Sequence, residues 1–276
     1  MPIATLVRLC ALMLSALATT AAPCAAQAVA AGTISIGTID SMWSATLKEN
    51  RRFLVYTPRS YSARGRAPQK YPVLYLLDGD AHFHSVTGLL QILSEGVNGT
   101  YVVPEMIVVA IPNTDRSRDL TPTHADAGPD GVVNAAFKTT GGGPAFLQFL
   151  KGELIPRIDS AYRTASYRVL VGHSFGGITA INALYVMPKT FNAYVAIDPS
   201  LWWDNQVLLK KAKGFFARPG LAPASLFVGQ ANTINADDTT SNAHFSSIVQ
   251  FNGIMESYNQ SGIRYAYKYY PDDSHG

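Results

Sequence analysis

Residues 168–180 read RVLVGHSFGGITA: a β-branched run, a serine between glycines, then a helix-forming stretch. Gly172-His173-Ser174-Phe175-Gly176 is a Gly-x-Ser-x-Gly pattern in a strand–turn–helix context. A chain that passes from strand to helix over one residue holds that residue in a strained backbone conformation, and side chains at the flanking positions would crowd the turn. Such a turn presents the Ser174 hydroxyl above the carboxyl edge of a sheet. It also aims the N–H of Phe175 where an oxyanion would form. The chemistry that asks for this is nucleophilic attack by a hydroxyl on a carbonyl.

A hydroxyl needs a base within hydrogen-bond reach, and the base needs an orienting carboxylate. The chain order expected with this turn is serine, acid, histidine. Downstream of Ser174 only His244 and His275 remain. His244 falls in a helical stretch and is expected to be solvated or packed there. His275, in YYPDDSHG after the last strand run, is the expected base. For the acid, Asp238 is preferred. It lies in QANTINADDTT, behind the strand run SLFVG, with Asp237 beside it and Asp198 in AIDPS as the third candidate. Asp238 is equally suited to capping the helix that follows, and a Ser–His dyad oriented by a backbone carbonyl stays open.

The second oxyanion donor is expected from LLDGD, where Gly79 permits a tight turn and the N–H of Asp80 faces the site. Each such donor is worth roughly 3 kcal/mol in the transition state. His82-x-His84 has no third ligand at metal spacing, so no metal and no cofactor are expected.

Six runs can serve as the strands that carry these turns: YPVLYLLDGD, EMIVVAIPN, YRVLVG, FNAYVAID, ASLFVG and RYAYKYYPDD. The first five are apolar throughout, as interior parallel strands must be. The last alternates and should have one wetter face. Helical segments separate them, including PAFLQFLKGELIPRIDSAY with Phe146, Phe149, Leu150 and Leu154 on one face. Two antiparallel strands are expected within GTISIGTIDSMWSATLKENRRFLVYTP. The alternation calls for an α/β domain, a mostly parallel sheet with helices on both faces. Residues 114–143 lack a period, and a loop that long in a compact domain is usually functional.

With 47% apolar and 15% charged residues in 276, the chain supports one large core, residues 33–276. A formal charge of +3 without a basic run speaks against nucleic acid. Arg8, the apolar run Leu9–Leu17 and the alanine-rich stretch to Ala26 have the layout of a secretory signal, 1–26. The expectation is a secreted or periplasmic protein without stable membrane insertion once the signal is removed. Both cysteines, Cys10 and Cys24, fall in that segment, so no disulfide is expected after cleavage.

From Phe53 onward, the pieces RRFLVYTPRSY, YPVLYLLDGD, RSRDLTP, FLKGELIPRIDSAYRT, VGHSFGG, FNAYVAIDPSLWWD and YPDDSHG resemble the esterase D-like group of α/β-hydrolases, nearest its enterochelin-type siderophore esterases. The resemblance implies the α/β-hydrolase fold, Ser174 as nucleophile, His275 as base and the backbone of Asp80 and Phe175 as oxyanion hole. RSRDLTP and PSLWWD are similar to cleft-lining segments of that group, which makes Arg118 and Trp202 candidate substrate contacts. There are two departures. Siderophore esterases carry a carboxylate close behind the seventh strand, where this chain has GQANT. Group members also continue past the base into a final helix, so the resemblance implies a bare patch of sheet and a frayed His275. The function these observations imply is a serine hydrolase that cleaves small-molecule carboxylic esters through an acyl-enzyme. The alternatives are acyl transfer on the same scaffold, or a non-catalytic ligand- or siderophore-binding protein. The oligomeric state is left open.

Overall fold

Strands that are apolar along their whole length need cover on both sides, and their order determines what meets at their carboxyl ends. The computed structural model describes residues 34–63, 68–96, 99, 101–235, 237–258 and 262–275. The expected secretory segment 1–26 lies outside the described residues. The strands are β1 (Thr38–Ser44), β2 (Glu49–Tyr56), β3 (Tyr71–Leu76), β4 (Ile107–Ala110), β5 (Thr164–His173), β6 (Ala193–Ile197), β7 (Ala224–Ala231) and β8 (Ile263–Tyr270). They form one sheet in the order β1-β2-β4-β3-β5-β6-β7-β8. β1, β2 and β4 pair antiparallel, and every pairing from β4 through to β8 is parallel. This is the α/β-hydrolase arrangement, and all six expected runs are strands in it.

Period-two alternation divides the core. Val73, Tyr75, Leu77, Ile107, Val109, Leu170 and Tyr194 face a large cluster under four covering segments. These are α3–α4 (Gly143–Phe149 and Ile155–Ala161, joined by a π-helical turn at Leu150–Leu154), α5 (Phe175–Val186), α6 (Trp203–Phe216) and α7 (Thr239–Ser257). Leu74, Leu76, Val108, Ala110 and Val169 face a smaller cluster with Leu90 of α1 (Gly79–Ser94). On that second face, toward β6 and β8, Ile197 and Tyr270 are exposed. The alternation expected of β8 is present in its burial. Among the described residues no helix is long and apolar enough to cross a membrane.

From β3 the chain moves outward to β4, then returns to the other side of β3 to form β5. The carboxyl ends of β3 and β5 therefore flank a topological switch point, where open α/β sheets bind ligands. The aperiodic stretch 114–143 crosses this edge. It contains the short helix α2 (Arg116–Leu120), a 3-10 turn at Ala135–Phe137 and a bridge between Ala127 and Val133.

A buried charge network anchors that stretch. Arg51 of β2 is 1% exposed and donates to Asp119 at 2.5 Å and to Glu49 at 2.9 Å. Arg118 adds bonds to Glu49 at 2.6 Å and Asp119 at 2.7 Å. Removing one partner of such a network leaves buried charge uncompensated. Arg51→Met should therefore lower stability by about 3 kcal/mol, read from the urea midpoint of the variant against the parent chain.

Candidate active site

The turn after β5 has the strain its sequence predicts. Ser174 sits at φ 57°, ψ −113°, and α5 starts at the next residue. A Cβ on Gly172 would lie 2.2 Å from the carbonyl oxygen of Gly176, so no side chain fits there. The Ser174 N–H donates to the carbonyl of Ile197 at 2.9 Å, and its carbonyl accepts from the N–H of Ser200 at 3.2 Å. The turn is thus held by the strand beside it as well as by its own helix.

His275 reaches Ser174. Its Nε2 lies 3.1 Å from Ser174 Oγ, and its Nδ1 lies 2.5 Å from Oδ2 of Asp198. A carboxylate only accepts, so the neutral ring carries its proton on Nδ1 and leaves Nε2 to take the hydroxyl proton. The carboxylate on His275 is therefore that of Asp198, the third of the sequence candidates. Asp238, the preferred one, caps α7: its Oδ1 accepts from the N–H groups of Thr240 (2.9 Å) and Ser241 (3.1 Å), and its Oδ2 from the Ser241 hydroxyl (2.7 Å). Asp237 beside it is exposed. The capping alternative describes Asp238, because the α7 N–H groups are nearer claimants than any side chain across the sheet.

His275 is also held through its backbone. Its own carbonyl oxygen lies 2.6 Å from Nε2 of His173, and the two rings stack at 4.8 Å. Burial, then the neighbouring His275, push the His173 imidazole below its ordinary value. It is thus a neutral N–H donor to that carbonyl at neutral pH.

Asp198 is 2% exposed and has a left-handed backbone, φ 43°. Its Oδ1 accepts from the N–H of Ala231 at 2.9 Å, and its Oδ2 meets Nε2 of His244 at 3.0 Å in addition to His275. Burial raises its pKa, but the hydrogen bonds from His244 and His275 outweigh this and hold the carboxyl well below the usual carboxylate range. His244 is thus neither solvated nor merely packed. Trp202 donates its indole N–H to His244 Nδ1 at 3.0 Å. That contact makes Nδ1 the acceptor and places the His244 proton on Nε2, facing Asp198. Asp198, His244 and His275 are close enough to hold a metal ion. Ligation through His244 Nε2 would require its proton to move to Nδ1, against the indole donor, so the trio fits a hydrogen-bonded network better than a metal centre.

Ser200, buried in the turn that carries Asp198, places its hydroxyl 3.0 Å from Ser174 Oγ. Sequence reasoning missed it. The signal available was only its position two residues after the acid in AIDPS.

Across the switch point, Asp78 adopts φ 52° ahead of α1, and a Cβ on Gly79 would collide with Ile111 N at 2.7 Å. Asp80 and Phe175 both lie in first helical turns, whose N–H groups have no acceptor within their own helix. The two turns are adjacent: a Cβ on Gly176 would stand 3.3 Å from Asp78 Oδ2. Arg116 bridges them. Its guanidinium grips Asp78 at 2.7 and 3.0 Å, reaches the His173 carbonyl at 3.4 Å and lies over the Phe175 ring. In RSRDLTP it is therefore Arg116 that stands at the site. Arg118, the expected substrate contact, is committed to Glu49 and Asp119. Trp202 packs on Phe175 and Phe137 and walls a cavity of about 650 Å³ with Asp126, Gln206 and Lys210.

Comparison with known proteins bears on the family and the fold. The family model described as "Putative esterase" matches residues 44–248. The chain is 31% identical over 175 residues to the ferri-bacillibactin esterase BesA of Bacillus subtilis (60% of each chain). It is 33% identical over 178 residues to a siderophore enterobactin esterase of Emericella nidulans (59% of this chain, 58% of that one). Both matches span less than two thirds of the relative's length. Among solved structures, an IroE-like serine hydrolase from Shewanella oneidensis is similar at a TM-score of 0.79 and 35% identity, covering 87% of this chain and 75% of that one.

The lowered His173 value has a stability consequence. Its folded value lies below its unfolded value of about 6.5, so the unfolded chain binds the extra proton as pH falls through that range. The urea midpoint should drop between pH 7.5 and pH 5. His173→Gln, which cannot titrate, should flatten that drop.

Proposed function

Because the chain belongs to the "Putative esterase" family, we propose that it is a serine hydrolase of carboxylic esters, with Ser174 as nucleophile, His275 as base and Asp198 as the orienting acid. The observation that carries this reading is the unbroken contact from Ser174 Oγ through His275 to Asp198.

The geometry suits each step. His275 Nε2 takes the Ser174 proton as Oγ attacks the ester carbonyl, and Asp198 stabilises the imidazolium that forms. The N–H groups of Asp80 and Phe175 receive the oxyanion of the tetrahedral intermediate, a contribution of roughly 3 kcal/mol each. Collapse expels the alcohol, which takes the proton back from His275, and leaves an acyl-enzyme on Ser174. Water then repeats the sequence in reverse roles. The Ser200 hydroxyl, 3.0 Å from Ser174 Oγ, can donate to it while the Ser174 hydroxyl donates to His275.

The names of the relatives favour siderophore-type esters as substrates. The aromatic wall of Trp202, Phe137 and Phe175, with Arg116 beside it, suits an acyl group that carries a ring. Export fits the same reading: the leader 1–26 would be removed, and the mature enzyme would meet its substrate outside the cytoplasm.

Three variants test the assignment. A fluorophosphonate probe should label the parent chain at Ser174 and leave Ser174→Ala unlabelled. Hydrolysis of p-nitrophenyl acetate should fall about 10⁶-fold in Ser174→Ala and about 10⁴-fold in Asp198→Asn. Asp238→Ala should keep near-parent turnover and lower the urea midpoint only slightly, through the lost α7 cap. If the Asp238 variant were the inactive one and Asp198→Asn the active one, the assigned acid would be wrong.

A further inference from the structure

The hydrolase reading leaves one buried histidine without a task. His244 is 5% exposed, and its ring lies 4.6 Å from that of His275. Both nitrogens of its ring are engaged: Trp202 N–H on Nδ1 at 3.0 Å, Asp198 Oδ2 on Nε2 at 3.0 Å. The indole contact fixes the tautomer, so His244 serves Asp198 as a donor and never as an acceptor while the network stands.

We infer that His244 is a positioning residue, which shares Asp198 Oδ2 with His275 and thereby lets the base give up its proton at lower pH than Asp198 alone would permit. This rests on the hydrolase reading above. A carboxylate oxygen that accepts a second hydrogen bond has less charge to offer the first. An Asp198 relieved of His244 would hold the protonated His275 more strongly. The base would then stay protonated, and idle, up to a higher pH. Other groups around His275 are His173 on β5, with His82 behind it, and Asp272 and Asp273 on its own loop. None of these contacts Asp198 Oδ2 in the structure, so the second donor there is a role only His244 fills among the described residues.

Trp202 extends the inference by one residue. The same indole that walls the cavity of about 650 Å³ keeps the His244 proton on Nε2. Loss of that donor frees His244 to take the other tautomer, whose bare Nε2 would face the carboxylate and repel it. The donor role of His244 is therefore conditional on Trp202.

The test is the acid limb of kcat/KM for p-nitrophenyl acetate, with the rate of fluorophosphonate labelling as a second readout, in full-length variants whose melting is checked. In His244→Leu the limb should move to higher pH by about half to one unit. Activity at pH 6 would then fall three- to tenfold, with the plateau above pH 8.5 held within about threefold. His244→Gln, whose amide N–H can still donate to Asp198, should bring the limb back toward the parent position. Trp202→Phe should move it in the same direction as His244→Leu, by less, and carries the test should His244→Leu not fold. An unmoved limb, a loss equal at every pH, or a glutamine variant no better than leucine would each overturn the inference. A parent chain that fails to label at Ser174 would instead overturn the hydrolase reading itself.

Discussion

A carboxylate buried to 2% exposure is tolerable only when donors replace the water it has lost, and Asp198 has three: the Ala231 N–H, His244 and His275. These donors come from the end of β7, from α7 and from the loop after β8. The single side chain therefore ties the last three elements of the domain to the end of β6. Its neighbours in the same turn hold Ser174: Ser200 contacts it through both backbone and hydroxyl. The electrostatic demand of one buried charge and the geometry of the reactive serine are met by three consecutive residues, Asp198-Pro199-Ser200.

On the opposite side of Ser174 a second ion pair does comparable work. Arg116 and Asp78 join the segment after β4 to the turn after β3, and the guanidinium reaches the His173 carbonyl in the nucleophile turn. The pair is anchored in turn by Arg51, Glu49, Asp119 and Arg118 one helical turn away. The two first-turn N–H groups proposed as oxyanion donors thus lie on loops held by charged side chains. Preorganised dipoles of this kind stabilise a transition state without reorganising during the reaction.

The aromatic residues link the site to the rest of the core. Phe175, Phe137, Trp202 and Trp203 pack at tilted and edge-to-face angles beside Ser174. Trp203 also donates its indole N–H to the carbonyl of Thr123, in the long segment that crosses the sheet edge. That segment has no sequence period because it follows the contours of these rings and the charge network; no single face of a helix or sheet dictates its pattern.

Local pattern determined the strands, most helices, the strained serine and the histidine that meets it. A buried strand must be apolar, a Gly-x-Ser-x-Gly turn must break φ/ψ rules, and His275 stands in the short loop after the last strand. The carboxylate that meets His275 escaped such reasoning: Asp238 and Asp198 both follow strands, and only the packing of α7 and β7 around β6 turns one into a cap and the other into the partner of His275. His244 and Arg116 were hidden for the same reason. A histidine inside a helix and two arginines in RSRDLTP differ in role only through what lies across from them, and such cross-chain neighbours are separated by 38 to 57 residues for Arg116 and by 42 to 46 for His244. The chain's local preferences specify where backbone turns; tertiary contact alone specifies which charges those turns bring face to face.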